Sequence, residues 1–307
     1  MSHDMGRVWS PVITPFAEDL SPDIERFVAH CRWLVEKGVG LAVFGTNSEA
    51  NSLGVEEKIR LLDALFEAGI PADRMMPGTG ACALPETVAQ TRHAVSQGVE
   101  GVLMLPPFYY KGVSDEGLYR YFSEVVERVG DERLRVYLYH IPGVSQVPLS
   151  LDLIGRLLDA YPKQIVGLKD SSGDCANTQS VIERFSEKGF QVYAGSETFL
   201  LQTLRAGGAG CISATANVNP GSIARLATSW QGEDADDQQA ALVRIRKIFE
   251  RFPVIAALKA ATARYSHDGQ WTQLRPPLIE LSEQQRSELY ALLDEAGFDM
   301  PGIGKKR

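Results

Sequence analysis

Two residues carry the most chemistry for their surroundings: Tyr139 and Lys169, 30 positions apart. Lys169 ends the apolar run Ile165-Val166-Gly167-Leu168. An ammonium at that depth loses hydration, which favours the free amine, a nucleophile for a carbonyl carbon. Two plainer roles compete: a strand-end lysine that snorkels to solvent, or one paired with the adjacent Asp170. Tyr139 can move protons as a general acid/base, or serve as a core aromatic with a satisfied hydroxyl. Its neighbour Tyr137 reads as the core kind. The stretch Gly45-Thr46-Asn47-Ser48 offers hydroxyls, an amide and backbone N–H groups that can cradle a carboxylate, or simply lead into a helix. Glu49 after it reads as a solvated or structural carboxylate. His140 should face away from Tyr139 on its strand, as a structural group or one supporting the site from behind.

Other chemistries find little footing. The five histidines (His3, His30, His93, His140, His267) show no HxH or HExxH spacing, so no metal site is expected. Cys31, Cys82, Cys175 and Cys211 form no CxxC pair and read as mostly buried free thiols in a reducing compartment. A GxSxG elbow, a GxGxxG after the first strand and a GxxxxGK[ST] loop are all missing. Gly78-Thr79-Gly80 reads as a tight turn. No organic cofactor is called for.

Positioning such residues falls to an alternating pattern. Short apolar segments at 8–14, 40–45, 74–79, 101–105, 135–140, 164–169, 191–195 and 209–213 read as strands. Between them lie amphipathic stretches, such as Leu61, Leu62, Leu65 and Phe66, or Leu153, Ile154, Leu157 and Leu158. Asn51 to Gly54 leads into Val55-Glu56-Glu57-Lys58, a polar entry with acidic residues suited to a helix start. Eight such units match a (β/α)8 TIM barrel of ~250 residues, rather than a doubly wound open sheet. The expected organisation is a barrel over 1–230 and a helical extension over 231–307 packed on it, with helices at 234–250, 253–264 and 282–296. Barrel active sites lie at the C-terminal strand ends, where Tyr139 and Lys169 would end neighbouring strands ~4.8 Å apart.

Composition fits this picture. The 307 residues are 44% hydrophobic and 23% charged, enough for a full core. Lys+Arg number 31 against Asp+Glu 39, a net charge of −8 that argues against nucleic-acid binding. Neither a signal peptide nor an apolar span of ~18 residues is visible, so a cytoplasmic location without membrane contact is expected.

Taken in order along the chain, six motifs resemble the dihydrodipicolinate synthase/N-acetylneuraminate lyase superfamily of pyruvate-dependent class I aldolases. They are Gly45-Thr46-Asn47-Ser48-Glu49, Pro107-Phe108-Tyr109-Tyr110-Lys111, Tyr139-His140-Ile141-Pro142-Gly143, and Gly167-Leu168-Lys169-Asp170-Ser171-Ser172-Gly173-Asp174. Ala194-Gly195-Ser196-Glu197 and the stretch from Gly210 to Val218 complete them. The resemblance implies that Lys169 forms a Schiff base with the keto carbon of pyruvate or another 2-oxo acid. Tyr139 would carry protons, with Thr46 and Tyr110 in its relay and Tyr110 lent by a neighbouring subunit of a dimer or tetramer. Thr46 and Asn47 would hold the pyruvate carboxylate. Gly195 and the Ile212 carbonyl would wall the pocket, and Ser171 would touch the rest of the substrate.

Two departures shape the expected activity. The synthases usually carry Arg two residues past the proline of the tyrosine motif, gripping the second substrate's carboxylate; here Val144 stands there. Ser48 replaces a usual Gly, which questions the backbone there and can add a hydroxyl to the site. The Lys-Asp-Ser-Ser-Gly-Asp form is closer to enzymes that cleave 2-oxo-3-deoxy sugar acids or 4-hydroxy-2-oxoglutarate. The resemblance therefore implies a lyase giving pyruvate plus an aldehyde. The alternatives are condensation of pyruvate with aspartate semialdehyde, a dehydratase or hydratase-aldolase using the same imine, and a non-catalytic 2-oxo acid sensor.

Overall fold

The computed structural model describes residues 6–304. Its seven strands are β1 (Arg7–Ser10), β2 (Gly40–Leu41), β3 (Val102–Met104), β4 (Val136–His140), β5 (Ile165–Asp170), β6 (Gln191–Ala194) and β7 (Gly210–Ile212). All pair in parallel, in the order β2-β1-β7-β6-β5-β4-β3. Helices cover the outside, so the strands are buried on both faces and read as apolar runs; all five residues of β4 are buried.

The ring is closed by residues 75–78, where a strand was expected at 74–79. Met76 N donates to Leu41 O at 2.8 Å and Gly78 N to Val43 O at 2.7 Å. On the other side Leu103 N donates to Pro77 O at 2.9 Å and Thr79 N to Leu103 O at 3.1 Å. This segment lies between β2 and β3 as isolated bridges and completes the (β/α)8 barrel. Pro77 has no N–H to extend a ladder, which keeps the segment from pairing as a regular strand. Its backbone also runs so close to Phe44 that a Cβ on Gly78 would lie 2.3 Å from the Phe44 carbonyl oxygen. The strand expected at 8–14 likewise ends at Ser10, because the next residue is Pro11.

Inside the barrel, Trp9, Ala42, Met76, Leu103, Tyr137, Tyr193 and Ile212 form one buried cluster below Tyr139. The rings of Tyr137 and Tyr193 meet edge to face at 5.8 Å, and the Tyr137 hydroxyl donates to Gln191 Oε1 at 2.8 Å. Tyr137 is thus the satisfied core aromatic that its position suggested.

Helices α1 (Ile24–Glu36), α2 (Val55–Glu67), α3 (Leu84–Ser96), α4 (Asp115–Val129), the one-turn α5 (Pro142–Ser145), α6 (Leu151–Ala160), α7 (Cys175–Phe185), α8 (Leu200–Arg205) and α9 (Pro220–Ser229) follow the strands. Their starts are coded locally. Ser114, Ser150 and Asp174 accept hydrogen bonds from the first turns of α4, α6 and α7. α2 opens at Val55 as expected, with Glu57 accepting from Gly54 N at 2.9 Å.

Three further helices complete the chain: α10 (Ala235–Phe249), α11 (Val254–Ser266) and α12 (Glu283–Glu295). α10 lies on α8 and α9, while α11 packs against the turns at Thr46–Ser48 and Ala214–Asn217. Every residue of α11 from Ala256 to Ala263 is buried. No helix among the described residues is long and apolar enough to cross a membrane.

Candidate active site

Tyr139 and Lys169 are register partners on β4 and β5, each one residue from its strand's C-terminal end. The Lys169 amine lies 3.2 Å from the Tyr139 hydroxyl, and that hydroxyl lies 3.2 Å from Thr46 Oγ1. Lys169 is 2% and Tyr139 4% exposed. The ammonium also lies 4.2 Å from the Tyr139 ring centroid. An amine, a phenol hydroxyl and a threonine hydroxyl therefore form one continuous line at the barrel mouth, above an apolar and aromatic floor.

Both plainer readings of Lys169 are overturned. The side chain is buried and does not snorkel. Nor does it pair with Asp170, because successive strand residues face opposite ways. The Asp170 carboxylate points outward and accepts from Ser172 N at 2.9 Å, Asn177 Nδ2 at 3.0 Å and Thr178 Oγ1 at 2.7 Å. It fixes the turn leading into α7. His140, its register partner, also faces outward, as expected from alternation, and its Nδ1 accepts from Leu149 N at 3.1 Å. Burial lowers the His140 pKa, with Asp170 opposing. A neutral imidazole matches that acceptor role.

Thr46 and Asn47 occupy a short 3-10 turn, Thr46–Ser48, and both remain partly accessible. Left-handed residues flank it: Phe44 at φ 62 and Glu49 at φ 58. Such a backbone is costly for a bulky side chain and persists only where the surroundings enforce it. Ser48 does not take a positive φ; Glu49 does. The Ser48 hydroxyl faces inward and accepts from Gly45 N at 3.1 Å, while its carbonyl accepts from Thr14 Oγ1 at 2.7 Å. The extra hydroxyl thus holds the turn together and is not offered to the mouth.

Glu49 is not solvated. Its carboxylate is fully buried, forming an ion pair with Lys259 of α11 and accepting from Arg275 N at 3.2 Å. Sequence reasoning missed Lys259, although a lysine within Ile255-Ala256-Ala257-Leu258-Lys259-Ala260-Ala261 was a usable signal. A helical stretch apolar all round is a buried one, so the cation within it must find a buried partner.

Residues just after β6, on β7 and after β5 line the other side. Gly195 N donates to Asp170 O at 2.6 Å and Ser171 N to His140 O at 2.7 Å. A Cβ on Gly195 would lie 2.1 Å from Ser171 Oγ and 2.8 Å from Asp170 O, so only glycine lets these two strand ends meet. Ile212 ends β7 within the interior cluster. Close by, Glu197 is buried and accepts from the hydroxyls of Ser213 and Thr215, with Arg246 of α10 at 3.5 Å.

Tyr110 is not brought to this group within one chain. It is 69% exposed, its ring edge to face with Tyr109 at 5.5 Å. The loop carrying it is fastened by Lys111, whose ammonium donates to Phe108 O and, at 2.8 Å, to Ser145 O of α5. Val144, on the same short helix, is 64% exposed. Of the four free thiols, Cys31 and Cys211 are buried, Cys175 is partly exposed and Cys82 is exposed, so the expectation of mostly buried thiols holds for only half of them. Among the described residues no three His, Cys, Asp or Glu side chains gather in a metal-binding group.

Comparison with known proteins supports the same relationship. The model of the dihydrodipicolinate synthetase family matches residues 4–296. An uncharacterized DapA-like lyase of Chloroflexus aurantiacus is 34% identical over 286 residues, covering 92% of this chain and 94% of the relative. The crystal structure of dihydrodipicolinate synthase from Agrobacterium tumefaciens superposes with a TM-score of 0.87 at 29% identity, covering 94% of this chain and 99% of that one. YagE, a family member from Escherichia coli K12 solved in complex with pyruvate, gives 0.85 at 28% identity, covering 95% and 98%. The chain belongs to the dihydrodipicolinate synthetase family, and by that membership is a carbon–carbon lyase.

Proposed function

We propose that the protein is a Schiff-base-forming class I aldolase that cleaves a 2-oxo acid to pyruvate and an aldehyde. The observation that carries this is the line Lys169 Nζ, Tyr139 Oη, Thr46 Oγ1, with 3.2 Å at each step inside a buried barrel mouth. The Lys169 amine attacks the keto carbon, and loss of water leaves an iminium. Tyr139 takes the proton of the C4 hydroxyl as the C3–C4 bond breaks. The electron pair of that bond passes into the iminium, giving an enamine, and the aldehyde departs. Protonation at C3 and hydrolysis then release pyruvate and the free amine. Thr46 and Asn47 hold the carboxylate, Gly195 and Ile212 wall the pocket, and Ser171 meets the distal part of the substrate. No bound cofactor is needed, since the imine is the electron sink.

The substrate class we favour is a 2-oxo-3-deoxy sugar acid or a 4-hydroxy-2-oxoglutarate type acid. Val144 supports this choice over condensation with aspartate semialdehyde, because no guanidinium stands there for a second carboxylate. The name of the Agrobacterium relative favours the synthase as the second reading. Exposure of Tyr110 suits a homodimer or tetramer in which it completes the relay of a neighbouring subunit. The setting is the cytoplasm, with the helices after residue 230 as an extension packed on the barrel.

The test is borohydride reduction with pyruvate, followed by peptide mass mapping and a panel of 2-oxo acids. A pyruvate-derived mass on the Lys169 peptide and release of an aldehyde are expected. An unmodified Lys169 at saturating pyruvate removes the imine mechanism. Dominant turnover of aspartate semialdehyde with pyruvate replaces the aldolase by the synthase, and loss of water without an aldehyde fragment replaces it by a dehydratase.

A further inference from the structure

The turn that presents Thr46 is clamped from behind by a part of the chain remote from the barrel strands. Glu49 caps the turn, its N–H donating to Thr46 O at 3.2 Å. Its side chain leaves the mouth and enters the interface with α11, where Lys259 meets it; both side chains are 0% exposed. Lys259 is fixed in turn, donating to Gln273 O at 2.6 Å and lying 4.5 Å from the Phe16 ring centroid. Arg275 closes the other side. Its N–H reaches Glu49 Oε2, and its guanidinium binds Glu57 at the start of α2 and the carbonyls of Ser52 and Leu20. Arg275 also lies 4.8 Å from the Phe16 ring centroid. None of these groups reaches Lys169 or Tyr139.

We infer that Lys259 and Glu49 are positioning residues: their buried ion pair holds the Thr46 hydroxyl against Tyr139, so that it governs proton transfer at the site while leaving imine formation intact. The inference rests on the imine reading of Lys169. Two left-handed residues on either side of the turn show that its shape is imposed by its surroundings. Removing one charge of a buried pair leaves the other uncompensated, and the stranded group must find water or a new partner. For Glu49, the way out runs through the turn it caps.

Protonation of Lys259 adds a signature. Burial pushes its ammonium down to about 8, against the pull of Glu49. The charged groups around it are Glu49 on the turn and, beyond Phe16, the Arg275–Glu57 pair. Above about pH 8 Lys259 loses its proton and the Glu49 carboxylate its counter-charge, so proton transfer should decline there.

The experiment uses pyruvate alone. The iminium of pyruvate gives up a C3 proton to become the enamine, and in heavy water takes back a deuteron, which NMR follows as loss of the methyl signal. Lys259→Met is expected to trap pyruvate with borohydride as the wild type does, yet to exchange methyl protons about 10- to 100-fold more slowly at saturation. The half-saturating pyruvate concentration should change little. The neutral pair Glu49→Gln/Lys259→Met should regain most of the lost rate and show no decline between about pH 7 and 9 of the kind the wild type shows. Wild-type exchange by Lys259→Met, or exchange and trapping that fall together in proportion to folded protein, overturns the inference. Should Lys259→Met fail to fold, the double variant decides, and an unchanged alkaline decline in it overturns the inference. No trapped pyruvate in the wild type itself removes the imine reading and this inference with it; trapping with normal Lys259→Met exchange removes this inference alone.

Discussion

A lysine and a tyrosine with hydroxyl and amine 3.2 Å apart tie each other's chemistry, since the proton either one gives up can pass to the other. Tyr139→Phe keeps the ring that lines the barrel and removes only the hydroxyl between Lys169 and Thr46. Loss of a positioned acid/base group lowers turnover by about 100- to 10,000-fold. We expect pyruvate methyl exchange to fall within that range, while borohydride still labels Lys169. Exchange within threefold of the wild type would deny Tyr139 its role. Lys169→Ala removes the proposed nucleophile and should abolish both signals. These two residues were readable in the sequence because each ends a recognisable apolar strand one βα unit from the other. Lys259 was signalled only as a cation in an apolar helical run; its partner was not, because Glu49 lies in a different part of the chain.

At the scale of elements, the Thr46–Ser48 turn is where local sequence and distant packing meet. The Ser48 hydroxyl accepts from Gly45 N. Ser48→Ala leaves that buried N–H without its partner and should cost about 1–3 kcal/mol, read as a lowered thermal midpoint. An unchanged midpoint would show that the bond is dispensable. Gly195→Ala is a harsher change, since the new methyl collides with Ser171 Oγ and with backbone. It should spread β5 from β6 at their C-terminal ends and weaken pyruvate binding, seen as a raised half-saturation in the exchange assay. Much of the element pattern was legible: seven expected strands and the helices at 234–250, 253–264 and 282–296 each have a counterpart. The strand expected at 40–45 pairs regularly only over Gly40–Leu41, and two other shortfalls followed from proline. Pro11 and Pro77 remove ladder donors, so the first strand is shorter than its apolar run and the third is reduced to bridges. A hydrophobic run reports burial, whereas a strand also needs N–H groups.

For the whole molecule, His30 of α1 offers a test of how tightly barrel and carboxy-terminal segment are joined. It is buried between Trp33, at 5.6 Å, and Trp271, at 5.1 Å, and burial pushes its pKa from 6.5 down to about 4. Between those values the unfolded chain binds more protons than the folded one. The stability contributed by neutral His30 is therefore complete above about pH 6.5 and drains away as pH falls towards 4, by about 3 kcal/mol in total. Denaturant titrations of the wild type and His30→Phe should diverge over that interval, with the variant losing less stability on acidification. Parallel curves would show that the imidazole is hydrated when folded. Assembly can be tested at the same scale. If Tyr110 serves a neighbouring subunit, mixing inactive Tyr110→Phe with inactive Lys169→Ala should restore part of the activity through sites that combine intact residues. No recovery in demonstrably mixed oligomers would confine Tyr110 to its own chain.

The edge-to-face rings of Tyr137 and Tyr193 have a consequence for traffic. With Trp9, Met76 and Leu103 they fill the barrel interior, which in this fold is a packed core and not a pore, so traffic passes by the mouth. Under the proposed reaction, the fragment bonded to Lys169 sits at the blind end and the aldehyde sits nearer the door. Departure is then ordered by geometry: the aldehyde goes first, and pyruvate follows only after its bond to the enzyme is hydrolysed. In product-inhibition kinetics, added pyruvate should compete directly with the 2-oxo acid, whereas added aldehyde should meet an enzyme already carrying the three-carbon fragment and drive the reaction backwards.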